Sequence, residues 1–97
     1  MNQIFWSHKA KSDYWKNIDY IVEQWDLTVA HNFIEKTNRT INVIHKNPKA
    51  FPLSDYKNVR RAVIVPQVAL FYQINQDESI DLLRFWSSFQ DPDTLKL

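Results

Sequence analysis

The sequence predicts an α+β fold, a helical hairpin laid on one face of an antiparallel sheet in the order β-α-α-β-β-β. Two observations carry this. Apolar residues recur at spacings of three and four through two adjacent stretches, 8–25 and 27–45. Three runs rich in β-branched and aromatic residues then follow at 59–65, 68–74 and 80–86, separated by turn-forming residues.

The first element is a short apolar strand at residues 3–6. Ser7 is the N-cap of the first helix. Ala10, Tyr14, Ile18, Ile21, Val22 and Trp25 form its apolar stripe, while Lys9, Lys11, Asp13, Lys16, Asn17 and Glu23 fall mostly on the other side. Asp26 caps the second helix, whose stripe is Ala30, Phe33, Ile34, Thr37, Ile41 and Ile44. With almost no linker between them, the helices form an antiparallel hairpin. Asn47-Pro48 ends the second, because the residue before proline is driven out of the α region.

Residues 48–57 are a loop, packed down by Phe51, Pro52 and Tyr56. A two-residue turn at Pro66-Gln67 pairs Val65 with Val68, Val63 with Leu70 and Arg61 with Tyr72. Strict alternation then sorts the strands. Val59, Arg61, Val63, Val65, Val68, Leu70, Tyr72 and Ile74 face the helices. Arg60, Ala62, Ile64, Ala69, Phe71 and Gln73 face away. That second face is too apolar for a solvated sheet. Either the chain's own C-terminal tail covers it, through Phe89 and Leu95, or a partner does; both can hold at once. The core is expected to hold Tyr14, Ile18, Ile21, Trp25, Phe33, Ile34, Ile41, Leu70 and Tyr72.

Ninety-seven residues make a single domain, 1–97. The fourteen aromatic residues supply enough apolar surface for one core. With no cysteine, disulfides and thiolate metal sites are excluded, which is compatible with a cytoplasmic location. No apolar run approaches the ~20 residues of a bilayer span, and the N-terminus lacks a signal-peptide pattern. With no glycine, the phosphate-cradling loops of the P-loop and dinucleotide-binding classes are not expected. A formal charge of +1 means that any nucleic-acid contact needs a local basic patch.

His8, His31 and His45 have no metal-ligand spacing, so neither metal nor cofactor is expected. His45 is explained by the dipole of the helix end it occupies. Asp77 and Glu78 belong to a polar turn. Asp91 and Asp93 flank a proline, which suits capping better than carboxylate catalysis.

Several motifs occur in a distinctive order. The opening WSHKAKSDYWKNIDYIVEQW is followed by Asn47-Pro48, Phe51-Pro52 and Arg60 before an apolar strand. Leu70-Phe71-Tyr72, Leu83-Arg84-Phe85 and Gln90-Asp91-Pro92 complete the series. Over nearly the whole chain this order resembles the RelE/ParE superfamily of toxins from bacterial type II toxin–antitoxin modules. The resemblance implies a cytoplasmic growth inhibitor neutralised by a cognate antitoxin in a hetero-oligomer, acting on DNA gyrase or on ribosome-bound mRNA. RelE-type nucleases line their active face with lysines and arginines. The matching positions here are Ala62, Ile64, Ala69 and Phe89, so the resemblance favours a ParE-like, non-nucleolytic mode with gyrase as target. One alternative is a RelE-like ribosome-dependent mRNA endonuclease using Arg60, Arg84 and Lys57 as its candidate catalytic residues. Another is an inactive toxin that retains only antitoxin binding. Arg60 and Arg84 read as an anion-binding pair, or else as arginines salt-bridged to Asp81, Asp91 or Asp93 or simply solvated. The antitoxin-binding surface is expected to include Ile64, Phe71 and Arg84.

Overall fold

The computed structural model describes residues 3–88, 90 and 92–97. Its elements are β1 (Ile4–Trp6), α1 (His8–Gln24), α2 (Leu27–Lys46), β2 (Val59–Val65), β3 (Val68–Ile74) and β4 (Ile80–Ser87), with a short 3₁₀ turn at Pro92–Thr94. The α+β architecture expected from the sequence is present.

Both helices start where their caps place them. The Ser7 hydroxyl accepts from the Ala10 amide at 2.9 Å, and the Asp26 carboxylate accepts from the Val29 amide at 3.0 Å. Each satisfies one of the orphan amides of a first turn. Asn47 closes α2 by donating its amide to Val43 O, and His45 and Lys46 lie in the last turn, where cations are favoured.

The sheet order is β1-β4-β3-β2. The β2, β3 and β4 strands are antiparallel, whereas β1 joins β4 in parallel through Ile4↔Ile80 and Trp6↔Leu82. The main core lies between this sheet and the hairpin. It contains Ile18, Ile21, Phe33, Ile44, Leu70, Tyr72, Leu82 and Phe85, with Tyr14, Ile34 and Ile41 packed against it. Trp6 stacks on Phe85 at 5.3 Å, and Tyr14 sits edge-on to Trp6 at 5.3 Å. These ring contacts fix α1 over the β1–β4 junction.

Two expectations need correction. Trp25 is not in the core: it follows the last residue of α1 and is 54% exposed. The face assignment of β2 is also reversed over most of its length. Val65 pairs with Val68 as expected, but Val63 pairs with Ala69, Ala62 with Leu70, Arg61 with Phe71 and Arg60 with Tyr72. Ile64 is the extra residue of a β-bulge, and one extra residue transfers every later side chain to the other face. Ala62 and Ile64 therefore belong to the main core. A second irregularity on β4 sets Arg84 opposite Phe71 and Leu82 opposite Tyr72, leaving Leu83 as the additional residue.

Candidate functional site

Beyond Trp6 the strand β1 ends, and the edge of β4 from Leu83 to Ser87 needs other partners for its backbone. The start of α1 supplies most of them. The Ser7 hydroxyl donates to Leu83 O at 2.9 Å. The Asp13 carboxylate accepts from the Phe85 amide at 3.2 Å, and the Asn17 amide donates to Phe85 O at 3.3 Å. The side-chain oxygen of Gln90 accepts from the Ser87 amide at 3.1 Å.

Arg84 is built into this edge. Its Nε lies 2.6 Å from Asp13 Oδ2 and its Nη2 3.0 Å from Asp13 Oδ1, a two-pronged pair. Its Nη1 donates to Lys96 O at 2.9 Å, and the guanidinium lies 4.8 Å from the Trp86 ring centroid. The side chains of Arg84 and Asp13 are only 13% and 8% exposed. Arg84 thus ties α1 to the C-terminal tail. The carboxylate it pairs with was not among those expected. Asp13 reads as part of the polar side of α1, yet it is buried. Its spacing from Ala10 and Asn17, three before and four after, was the signal. Asp81 instead accepts from Asn75 at 3.1 Å, and Asp91 lies outside the described residues.

The bulge exchanges the roles expected of Arg60 and Arg61. Arg60 turns to the helix side, where its Nη1 donates to Phe51 O at 2.7 Å. It lies beside its cross-strand neighbour Tyr72. The Tyr72 hydroxyl donates to Pro48 O at 2.7 Å. Burial raises the Tyr72 pKa above the usual tyrosine value, and the nearby Arg60 charge partly opposes this. Arg60 also lines an open depression of about 310 Å³ with Lys49, Leu53, Asn58 and Ile74. Arg61 is exposed on the opposite face. Lys57 is exposed in the turn before Asn58, whose φ is 61°. From Lys46 to Arg61 the chain carries five cations (Lys46, Lys49, Lys57, Arg60, Arg61) and one carboxylate, Asp55. This basic segment was not singled out in the sequence, because the chain's formal charge of +1 conceals it.

The face turned away from the helices has a small core of its own. Val59, Ala69, Phe71 and Leu95 are buried together, with Leu83 and Trp86 against them. The tail therefore covers this face through Leu95, as one of the two expected explanations had it. Phe89 lies outside the described residues. Among the three residues expected at a partner surface, Phe71 is under Leu95, Ile64 is in the main core and Arg84 is bound to Asp13. The Trp86 indole Nε1 is buried without a hydrogen-bond partner among the described residues.

No group of three or more potential metal ligands occurs among the described residues, and none of their helices is long and apolar enough to cross a membrane.

The family profile described as the ParE toxin of the type II toxin–antitoxin system parDE matches residues 4–92. The chain belongs to this family, and it is the toxin of a type II toxin–antitoxin system. No match is found among curated protein sequences. A chain of the chromosomal ParDE system from P. aeruginosa superposes with a TM-score of 0.75 at 18% identity, covering 90% of this chain and 96% of that one. A chain of the DinJ–YafQ complex of E. coli gives 0.60 at 16% identity, covering 90% and 93%. A chain of the YoeB dimer from Staphylococcus aureus gives 0.60 at 20% identity, covering 88% and 94%. At these identities the structures speak to the fold alone.

Proposed function

We propose that this toxin is a ParE-like growth inhibitor that acts by binding, with DNA gyrase as its target, and that a cognate antitoxin neutralises it in the cytoplasm. The observation that carries the reading is the state of the positions where the RelE-type nucleases carry cations. Ala62, Ile64 and Ala69 are buried apolar residues, and Arg84 is bound to Asp13 and the Lys96 carbonyl. Cleavage through a ribose 2′-hydroxyl needs a proton acceptor, a proton donor and cations around the phosphate. These positions supply none of them in an available form. The antitoxin partner is supported by the solved DinJ–YafQ complex, in which a protein of the same fold is held with a second chain. The sheet face around Phe71, held by Leu95 and clamped by Arg84, is the proposed antitoxin surface on this chain, while Ile64 belongs to the main core on the other side of the sheet.

One observation favours a second reading, ribosome-dependent mRNA cleavage. The basic segment at 46–61 places Lys57 and Arg60 in a surface suited to phosphate. Arg60 is in either case the proposed contributor to toxicity, as a phosphate or carboxylate ligand.

Induced expression tests the proposal, with mRNA ends mapped after growth stops. Arrest without cleavage inside codons is the expected outcome. In-codon cleavage that disappears in Arg60→Ala would establish the nuclease reading instead. No arrest at all would leave a chain that only binds antitoxin.

A further inference from the structure

The junction of α1 and α2 carries several exposed apolar residues. Tyr20, Val22, Trp25, Leu27 and Val29 are all exposed, and all lie within ten residues around the junction of α1 and α2. Single exposed apolar residues need no explanation, but Tyr20, Trp25 and Val29 line one cavity together. Between this cluster and the β2–β3 turn lies a cavity of about 150 Å³, walled by Tyr20, Trp25, Val29, Val65 and Pro66, with Lys36 on its rim. The space suits one large side chain. Among the described residues its lining includes the Lys36 ammonium, amides and a hydroxyl, and no carboxylate. Lys36 forms no ion pair among the described residues.

We propose that this socket docks the toxin's cellular target, through a protein segment presenting one large apolar side chain with a carboxylate beside it. The inference rests on the reading of the chain as a toxin that acts by binding, and it adds where and how. The apolar walls suit a protein side chain better than a phosphodiester, and the cations suited to phosphate lie elsewhere, at 46–61. The face around Phe71 is covered by the chain's own Leu95, whereas no described residue covers Trp25 at the socket, which is 54% exposed. A second copy docked socket to socket would bring Lys36 no carboxylate from the described residues of the facing walls.

The full chain is tested with Trp25→Ser and Lys36→Glu, reading growth arrest, co-purification with the cognate antitoxin and the thermal midpoint. Both variants are expected to keep the midpoint and the antitoxin but to lose arrest. Full arrest in both variants overturns the proposal. Loss of antitoxin capture reassigns the socket to the antitoxin, and a dimer in sedimentation velocity that the variants dissociate reassigns it to a second copy. If the unsubstituted chain fails to arrest growth, the toxin reading falls and takes the proposal with it, an outcome distinct from arrest that survives the substitutions. A direct probe compares 3-phenylpropionate with 3-phenylpropylamine, followed at the Trp25 indole N–H by NMR. The carboxylate is expected to bind several-fold tighter, with the preference lost in Lys36→Glu. Equal binding of the amine, or no shift with either, contradicts the stated chemistry.

Discussion

At Arg84 the guanidinium meets Asp13 on one side, the Lys96 carbonyl on another and the Trp86 ring across its face. Removing either partner of a well-buried pair strands the other charge. Arg84→Ala or Asp13→Ala is therefore expected to cost about 3–5 kcal/mol in urea unfolding. The double variant is expected to cost clearly less than the two singles combined, because both act on one network. Arg60 and Arg61 should differ in the sense the bulge dictates. Arg60→Ala loses its bond to Phe51 O, on the order of 1 kcal/mol, whereas Arg61→Ala, being exposed, should stay within about 0.5 kcal/mol. Tyr72 gives the pH dependence. Its pKa is raised in the fold, chiefly by burial, so above the ordinary tyrosine pKa the unfolded chain loses a proton that the folded chain keeps. This contribution to stability is complete below that pKa and is lost as pH rises through the raised, folded-state value. Urea midpoints measured across the alkaline range are expected to fall, with a weaker fall in Tyr72→Phe.

The secondary elements were legible in the sequence because each is signalled locally. Two N-caps, two helical stripes and three β-branched runs place them, and β2 and β3 have the expected limits. The parallel pairing of β1 with β4 was not legible, since it joins strands more than seventy residues apart. Nor was the face of β2. A bulge at Ile64 has no signature in a run as uniform as Ala62-Val63-Ile64-Val65, and it exchanges Arg60 with Arg61. Of the candidate site, Phe71 could be placed by alternation on β3, but the Asp13–Arg84 pair could not, because its two residues meet only through tertiary packing. Trp25 fits the α1 stripe by spacing but is the residue at which the helix ends, and it is left exposed beside an unfilled cavity. These readings separate in stability measurements. Phe33→Ala removes a fully buried ring and is expected to cost about 3–5 kcal/mol. Trp25→Ala should cost no more than about 0.5 kcal/mol. Equal losses would mean that the exposed end of the stripe had been misassigned.

Across the whole molecule three surfaces separate. The sheet face is closed by the tail through Leu95, the segment from Lys46 to Arg61 gathers five of the twelve cations, and the junction of the helices exposes apolar side chains. On the proposed reading, in which the toxin works by binding, one of these surfaces serves the neutraliser and another the target. The most direct test is DNA supercoiling by purified gyrase in the presence of the purified chain. Inhibition that rises with toxin concentration, and is relieved by the cognate antitoxin, is expected. Undiminished supercoiling at a large excess of toxin, together with cleavage of mRNA on programmed ribosomes, would contradict it.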